Sequence, residues 1–453
     1  MKIKYLSILF LLCFVQIGIA QTIGVTIYNK KNNEPVSNVS VSTSNATIIG
    51  QTNRKGFVVL SMEDIKSSSM IIFDHSDFER LEIESGKMKD AQSIFLIEKP
   101  TKLEEVTLFG DRKLQSKLKY TKLSGLDKRI YGFGLALVGD KIYVQGGDLS
   151  NSTNTFLKGD LLSNNLGRGT SFLDVIMYEQ RRSSNYEGIN DEMYVYDIKK
   201  DTWTEVDKVF KKRAYHEMIP YQNRLYLVGG KFMSRNKRFQ YLENEMEIYD
   251  LEKDTVYVDR SYQHDAINFT AVNYKGNFLF LGGEIKKSKK GEPEYTAKAH
   301  LFDAAHGFWY PVKDMPKEQA VKGVLVENKI YFVGGIKNTA SKIIKSYNLS
   351  SGEWKNEGEL FTTMELPALC AHDHLIYIYE NGIFYTFNTL SKELNRYHIN
   401  LQYYGSRIVY YENALYLIGG IFTNRGVENP SSNMYKIDLD EFVKTRIVDT
   451  VSF

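Results

Sequence analysis

The chain has 453 residues, 43% of them hydrophobic, and a formal net charge of +3. That apolar content supports a large packed core and excludes a mainly disordered chain. So small a charge excludes a general electrostatic attraction to nucleic acid or to an anionic membrane as the basis of function. With 31 Tyr and 25 Phe against only 8 Pro, the composition favours strands.

Residues 1–20 read as an export signal. Lys2 and Lys4 form a positive start, "LSILFLLCFVQIGI" is apolar, and "GIA" places the small Ala20 before Gln21. The apolar run is too short for a membrane span, and no later stretch approaches ~18 apolar residues. The expectation is an exported protein of the periplasm, cell envelope or extracellular side, without a membrane span. Removing Lys2 and Lys4 takes the formal charge from +3 to +1. Cys13 leaves with the signal, so Cys370 stands alone and no internal disulfide forms.

Residues 21–97 alternate apolar and polar residues in short runs ("TIGVTIYN", "NVSVSTSN", "RKGFVVLS", "SSMIIFDH", "QSIFLIEK"), which predicts a small all-β unit. The pattern "GVTIYNKKNNEPVSNVSV…GQTNRKGFVVL" resembles the carboxypeptidase regulatory-like domain through Gly24, Glu34, Pro35, Val36, Thr52, Gly56 and Phe57. That resemblance implies a seven-stranded, immunoglobulin-like β-sandwich with no catalytic residues of its own. In exported proteins of Bacteroidetes such a domain is often trailed by a segment like "LEEVTLFG" (103–110). Residues 98–128 are expected to be a linker.

From about residue 129 to 449 a period of 40–50 residues emerges after one longer first repeat. An apolar strand ends in Gly-Gly at 146–147, 229–230, 282–283, 334–335 and 419–420. The last gap, 85 residues, is twice the usual one and holds a degenerate copy, "LIYIYENG", with Glu380-Asn381 at the doublet position. A second marker, an aromatic run ending in Asp or Asn, recurs at 197, 250, 303, 348, 388 and 438. Trp203, Trp309 and Trp354 each follow it by six residues. Period, doublet and Trp spacing resemble the kelch repeat. The resemblance implies a six-bladed β-propeller of four-stranded antiparallel blades. The expected class is therefore all-β, a small sandwich followed by a propeller. One blade cannot cover both of its own faces, so the repeats must stabilise one another.

Antiparallel order puts the loops after each doublet and the blade-to-blade connections on one face. Loops on a rigid scaffold commonly carry function. The first such loop, from Asp148 to about Glu192, exceeds forty residues, longer than a passive connection requires. Basic residues gather in these loops: Arg168, Arg181 and Arg182; Lys231, Arg235, Lys237 and Arg238; Lys286, Lys287, Lys289 and Lys290. They suggest attraction for an acidic sugar, polysaccharide or acidic protein, diluted by Glu243, Glu245, Glu292 and Glu294. The reading that residue statistics favour is ordinary solvated loop charge.

Segments leading into each innermost strand line the channel mouth in such folds. They contribute Arg213, Tyr215, His216 and Glu217, then His264, Asp265 and Asn268, then Tyr403, Tyr404 and Arg407. Arg213 and His216 match the Arg-x-x-His of kelch repeats. With Glu217 they are candidates for acid–base or carboxylate-binding chemistry, set against a purely structural hydrogen-bonding role. His372 and His374 lack a third ligand, so no metal is expected. No P-loop, dinucleotide fingerprint, nucleophile elbow or zinc signature occurs, so no cofactor is expected. The chain is similar to galactose oxidase in repeat pattern, yet Cys370 lies in an apolar run without a copper ligand set. The expected role is a binding or scaffolding module for a glycan or protein partner. The alternative is a sugar epimerase or mutarotase at the channel mouth, resembling the periplasmic sialic acid epimerase.

Overall fold

A computed structural model describes residues 22–45, 47–90, 92–99, 114–153, 188–234, 239–287, 292–424 and 427–453. The expected export signal, the "LEEVTLFG" segment and most of the long first loop, with Arg168, Arg181 and Arg182, lie outside them. The chain divides into two compact units, residues 1–112 and 113–453.

In the first unit, seven strands make two sheets. Thr22–Asn29 is central in a three-stranded sheet, antiparallel to Phe57–Ser61 and parallel to Ser93–Leu96. Ser40–Thr43 and Met70–His75 are central in a four-stranded sheet flanked by Ile48–Gln51 and Phe78–Glu84. Both sheets feed one core, with Val25, Ile27, Val58 and Leu60 from one and Val41, Ile71 and Phe73 from the other. Alternation is the cause, because successive strand side chains point to opposite faces. A one-turn helix, Met62–Lys66, is capped by the Ser61 hydroxyl, which accepts from the Glu63 N–H.

The second unit is a ring of six antiparallel sheets, five of four strands and one of five. Their innermost strands are Gly134–Val138, Glu217–Tyr221, Thr270–Tyr274, Ala320–Val326, Ala368–His372 and Arg407–Tyr411. Each packs against the next, and the sixth against the first. A closed ring has six junctions, and six apolar clusters fill them. Trp309 packs on Phe280 of its own blade and Tyr262 of the preceding connection, and Trp203 donates its indole N–H to the Ser124 carbonyl at 2.8 Å. The repeated Asp or Asn closes the outer turn as its chemistry predicts. Asp250 accepts from the N–H of Glu252 and Lys253, and Asn388 from Leu390 and Ser391.

Two boundaries differ from expectation. Thr121–Leu123, placed by sequence in the linker, is the outer strand of blade 6, paired with Met434–Asp438. Blade 6 has no outer strand of its own, because Asp438 leads into the helix Asp440–Lys444. The N-terminal side of the unit thus closes the ring. Asp449–Ser452, at and beyond the expected end, adds a fifth strand to blade 5 along Glu393–Arg396.

Candidate functional site

The register of the inner strands defines a ring layer around the channel. Gly134, Glu217, Thr270, Lys322, Ala368 and Arg407 each pair with the residue that precedes the doublet position on the neighbouring strand. Charged residues come from blades 2, 4 and 6, and small ones from blades 1, 3 and 5. The alternation leaves space at the axis for three long side chains. Arg407 grips Glu217 with two parallel bonds, Nη1 to Oε2 and Nη2 to Oε1, both 2.9 Å, and its Nη2 also donates to the His216 carbonyl at 3.0 Å. Lys322 donates to Glu217 Oε1 at 2.5 Å and to the Phe269 carbonyl at 3.4 Å. Burial acts to raise the Glu217 carboxyl, but Arg407 and Lys322 outweigh it and hold it below its ordinary value. Burial, aided by the Arg407 charge, pushes the Lys322 ammonium down to about 8.

This triad belongs to the wall of a cavity of ≈ 380 Å³ that all six blades line. Among its lining residues are Tyr131, Tyr215, Asn268, Glu365, Glu380 and Tyr404. The residue two before the ring layer is left-handed in four blades, Gly132 at φ 61°, Tyr215 at 61°, Asn268 at 54° and Gly405 at 59°. A tyrosine in that region costs on the order of 1–3 kcal/mol and persists only where its surroundings enforce it. Here Tyr215 donates its hydroxyl to Asp148 at 3.1 Å, meets Tyr131 edge-to-face at 5.8 Å, and carries the Lys231 ammonium 4.4 Å from its ring centre. The ring is thus fixed against the cavity wall.

Of the residues read from sequence, Tyr215, Glu217, Asn268, Tyr404 and Arg407 meet at this cavity. Arg213 and His216, expected with Glu217, do not. Both are 0% exposed at the junction of blades 1 and 2. Arg213 donates to the carbonyls of Leu227 and Gly229 and pairs with Glu247 at 2.9 Å. Burial pushes the Glu247 carboxyl up against the pull of Arg213. His216 occupies the repeat position that Phe133 and Phe269 fill in the neighbouring blades, and neither ring nitrogen has a partner. It packs so closely on Gly134 that a Cβ there would lie 2.4 Å from its Nε2. Burial, with Arg213 next, keeps the ring neutral, far below the usual histidine range. His264 is likewise internal, 2.9 Å from His300 Nδ1 and from the Gly282 carbonyl, and burial pushes it down to about 3.

Lys286 and Lys287 have strand backbone in a hairpin beyond the doublet of blade 3, and their side chains are outside what is described. His372 ends one strand and stacks on Tyr410, while His374 sits in the following turn. Among the described residues no three His, Cys, Asp or Glu converge as a metal site. Sequence reading missed Lys322, Glu365 and Glu380. The lead-ins to blades 4 and 5, "QAVKG" and "MELPA", lack the Tyr, His and Asn signals that mark the others, and Glu380 was taken for a worn copy of glycine.

No known family profile matches the chain. It is 22% identical to alpha-scruin of Limulus polyphemus over 194 residues, 41% of this chain and 20% of that protein. It is 21% identical to beta-scruin of Limulus polyphemus over 250 residues, 54% of this chain and 23% of that protein. The matches thus span under a quarter of the length of these relatives. The solved structure of YjhT superposes with a TM-score of 0.50 at 11% identity, covering 68% of this chain and 95% of that one. Such a likeness concerns fold alone. Repeat spacing, the closed ring of six sheets and these similarities agree: residues 113–453 form a β-propeller of the kelch-repeat type.

Proposed function

We propose that the propeller is an exported binding module that takes a carbohydrate at the channel mouth on the doublet face. The observation that carries this reading is the cavity itself. Its ≈ 380 Å³ is within the range of small-ligand sites, roughly 300–1,000 Å³. Three tyrosines, Tyr131, Tyr215 and Tyr404, offer flat apolar faces with hydroxyl tips, which suits sugar rings. Asn268, Glu365 and Glu380 add hydrogen-bonding groups, and the Arg407 and Lys322 cations stand against the Glu217 and Glu365 carboxyls, so hydrogen bonding rather than net charge selects the sugar. The N-terminal unit, read as a carboxypeptidase regulatory-like sandwich, serves as a spacer or docking domain at the cell envelope. A glycan-array screen of the full chain tests the reading. Binding lost in Tyr215→Ala supports it, and binding that persists in that variant, or no glycan bound at all, rejects it.

A second reading, a sugar epimerase or mutarotase, is favoured by one observation. Two groups in the cavity have proton affinities near neutrality, Glu380 at about 7 and Lys322 at about 8. Exchange between sugar anomers, followed by NMR with and without the protein, separates the two readings.

A further inference from the structure

The second strands of five blades run into Gly-Gly, and crowding explains why. A Cβ on the first glycine would fall 2.4 Å from the Arg213 carbonyl at Gly146, and 2.4 Å from the Met364 carbonyl at Gly334. Blade 5 is built differently. Glu380 stays in the ladder opposite Ile383, and Asn381-Gly382, with φ of 45° and 81°, closes a two-residue hairpin. These are the left-handed angles of the tight turn that Asn-Gly favours. The sequence "YENG" is therefore a different device from the doublet, with two consequences.

The first is a side chain where the other blades have none. The Glu380 carboxylate accepts from the backbone N–H of Glu365 and of Leu366, both at 3.3 Å, and lines the cavity. The second is a low rim. In blades 2, 3 and 6 the corresponding connection rises as an extra hairpin: Lys231–Met233 with Gln240–Leu242, Glu284–Lys287 with Pro293–Tyr295, and Ile421–Asn424 with Val427–Pro430. In blade 4 the strands continue past the doublet to Lys337 and Thr339. Among the described residues, blade 5 alone turns back without rising. At its lip Asn381 donates to the Tyr404 hydroxyl at 2.5 Å, tying the turn to a cavity tyrosine.

We propose that Glu380 is a ligand-binding residue of the channel mouth, and that its ligand is an oligosaccharide whose chain leaves the mouth across the Asn381–Gly382 turn. This rests on the carbohydrate reading above and adds where the chain lies and which group orients it. Burial pushes the Glu380 carboxyl up to about 7, against the two N–H donors. The charged and titratable groups sharing its cavity are Tyr131 ahead of blade 1, Tyr215 and Glu217 of blade 2, Lys322 on blade 4, Glu365 on the connection from blade 4, and Tyr404 and Arg407 of blade 6. As a neutral acid, Glu380 donates to a sugar oxygen. As a carboxylate covered by a ligand it must lose water, which opposes binding. Affinity therefore falls as pH rises through about 7, by at most about tenfold per pH unit.

The test is calorimetric titration of the full chain with glucose, N-acetylglucosamine and glucuronate, and with the linear oligomers of each, on both sides of neutrality. Affinity is expected to grow with oligomer length and to weaken as pH rises. Glu380→Gln, a neutral mimic of the acid, keeps the low-pH affinity and loses the fall centred near 7, leaving only a dependence near 8 that belongs to Lys322. Replacing Asn381–Gly382 by the 421–430 connection weakens oligomers and spares monomers. Saccharide binding that Tyr215→Ala abolishes, but that neither change at blade 5 alters, overturns this inference and leaves the carbohydrate reading standing. If wild type binds none of these saccharides at any pH, both fall.

Discussion

Two arginines, Arg213 leading into blade 2 and Arg407 in blade 6, teach what separates scaffold from site. Each is bonded to a glutamate and to main-chain carbonyls, and each came from the segment leading into an inner strand. Arg213 stands four residues ahead of the ring layer, counted along the repeat, and points into the wedge between blades 1 and 2, where it is 0% exposed. Arg407 stands in the ring layer and reaches across the axis, with its side chain 18% exposed to the cavity. Four positions in the repeat decide whether the same chemistry holds blades together or faces a ligand. Residue type carries no such information, since both strands belong to the same kind of element.

The contrast is broken most directly at Arg213. Arg213→Ala leaves Glu247 buried without its partner, which costs about 3–5 kcal/mol. Urea denaturation should show that loss, and a fall below about 1 kcal/mol would mean the wedge is not where the energy lies. Glu217→Gln leaves two cations facing each other beside a cavity that water reaches, so a smaller loss of about 1–3 kcal/mol is expected, together with a change in ligand affinity that Arg213→Ala in its folded fraction does not show. Equal stability losses with unchanged binding in both would erase the distinction.

His216→Phe sharpens the comparison from the scaffold side. The new ring is the one that Phe133 and Phe269 present at the same repeat position, and two unpartnered nitrogens disappear. Stability is expected to stay level or rise by about 1 kcal/mol at neutral pH. Because the folded protein holds His216 well below its ordinary value of 6.5, the unfolded chain binds more protons below that pH. Wild type therefore loses stability as the pH falls through 6.5, and the variant lacks that component. A destabilised variant with the wild-type pH slope would contradict this placement.

The smallest effect concerns Glu380. Its affinity for a proton is higher in the folded state, so the folded protein binds more protons between about 4.5 and about 7. Its contribution to stability declines over that window as pH rises. The stability difference in favour of Glu380→Gln should open from about 4.5 upward and level off above about 7. A difference that does not vary with pH would show that the carboxyl is ordinary.

The sequence by itself determined the architecture of the larger unit. Strand period, the Gly-Gly before each crowded connection, the Asp or Asn at each outer turn and the Trp behind it are local demands. Every repeat carries the Asp or Asn, five the Gly-Gly and three the Trp, so their number and order could be counted. It also named five cavity residues, Tyr215, Glu217, Asn268, Tyr404 and Arg407, because all lie beside a recognisable strand start. Only the tertiary structure decided which charges meet. Glu217, Lys322 and Arg407 are separated by 105 and 190 residues from Glu217 along the chain, and they converge because ring closure brings blades 2, 4 and 6 to one axis. The same closure recruited Thr121–Leu123 as a blade strand. Local pattern records what each repeat needs for itself. Where six repeats face one another, the outcome depends on register and distance, which no single repeat encodes.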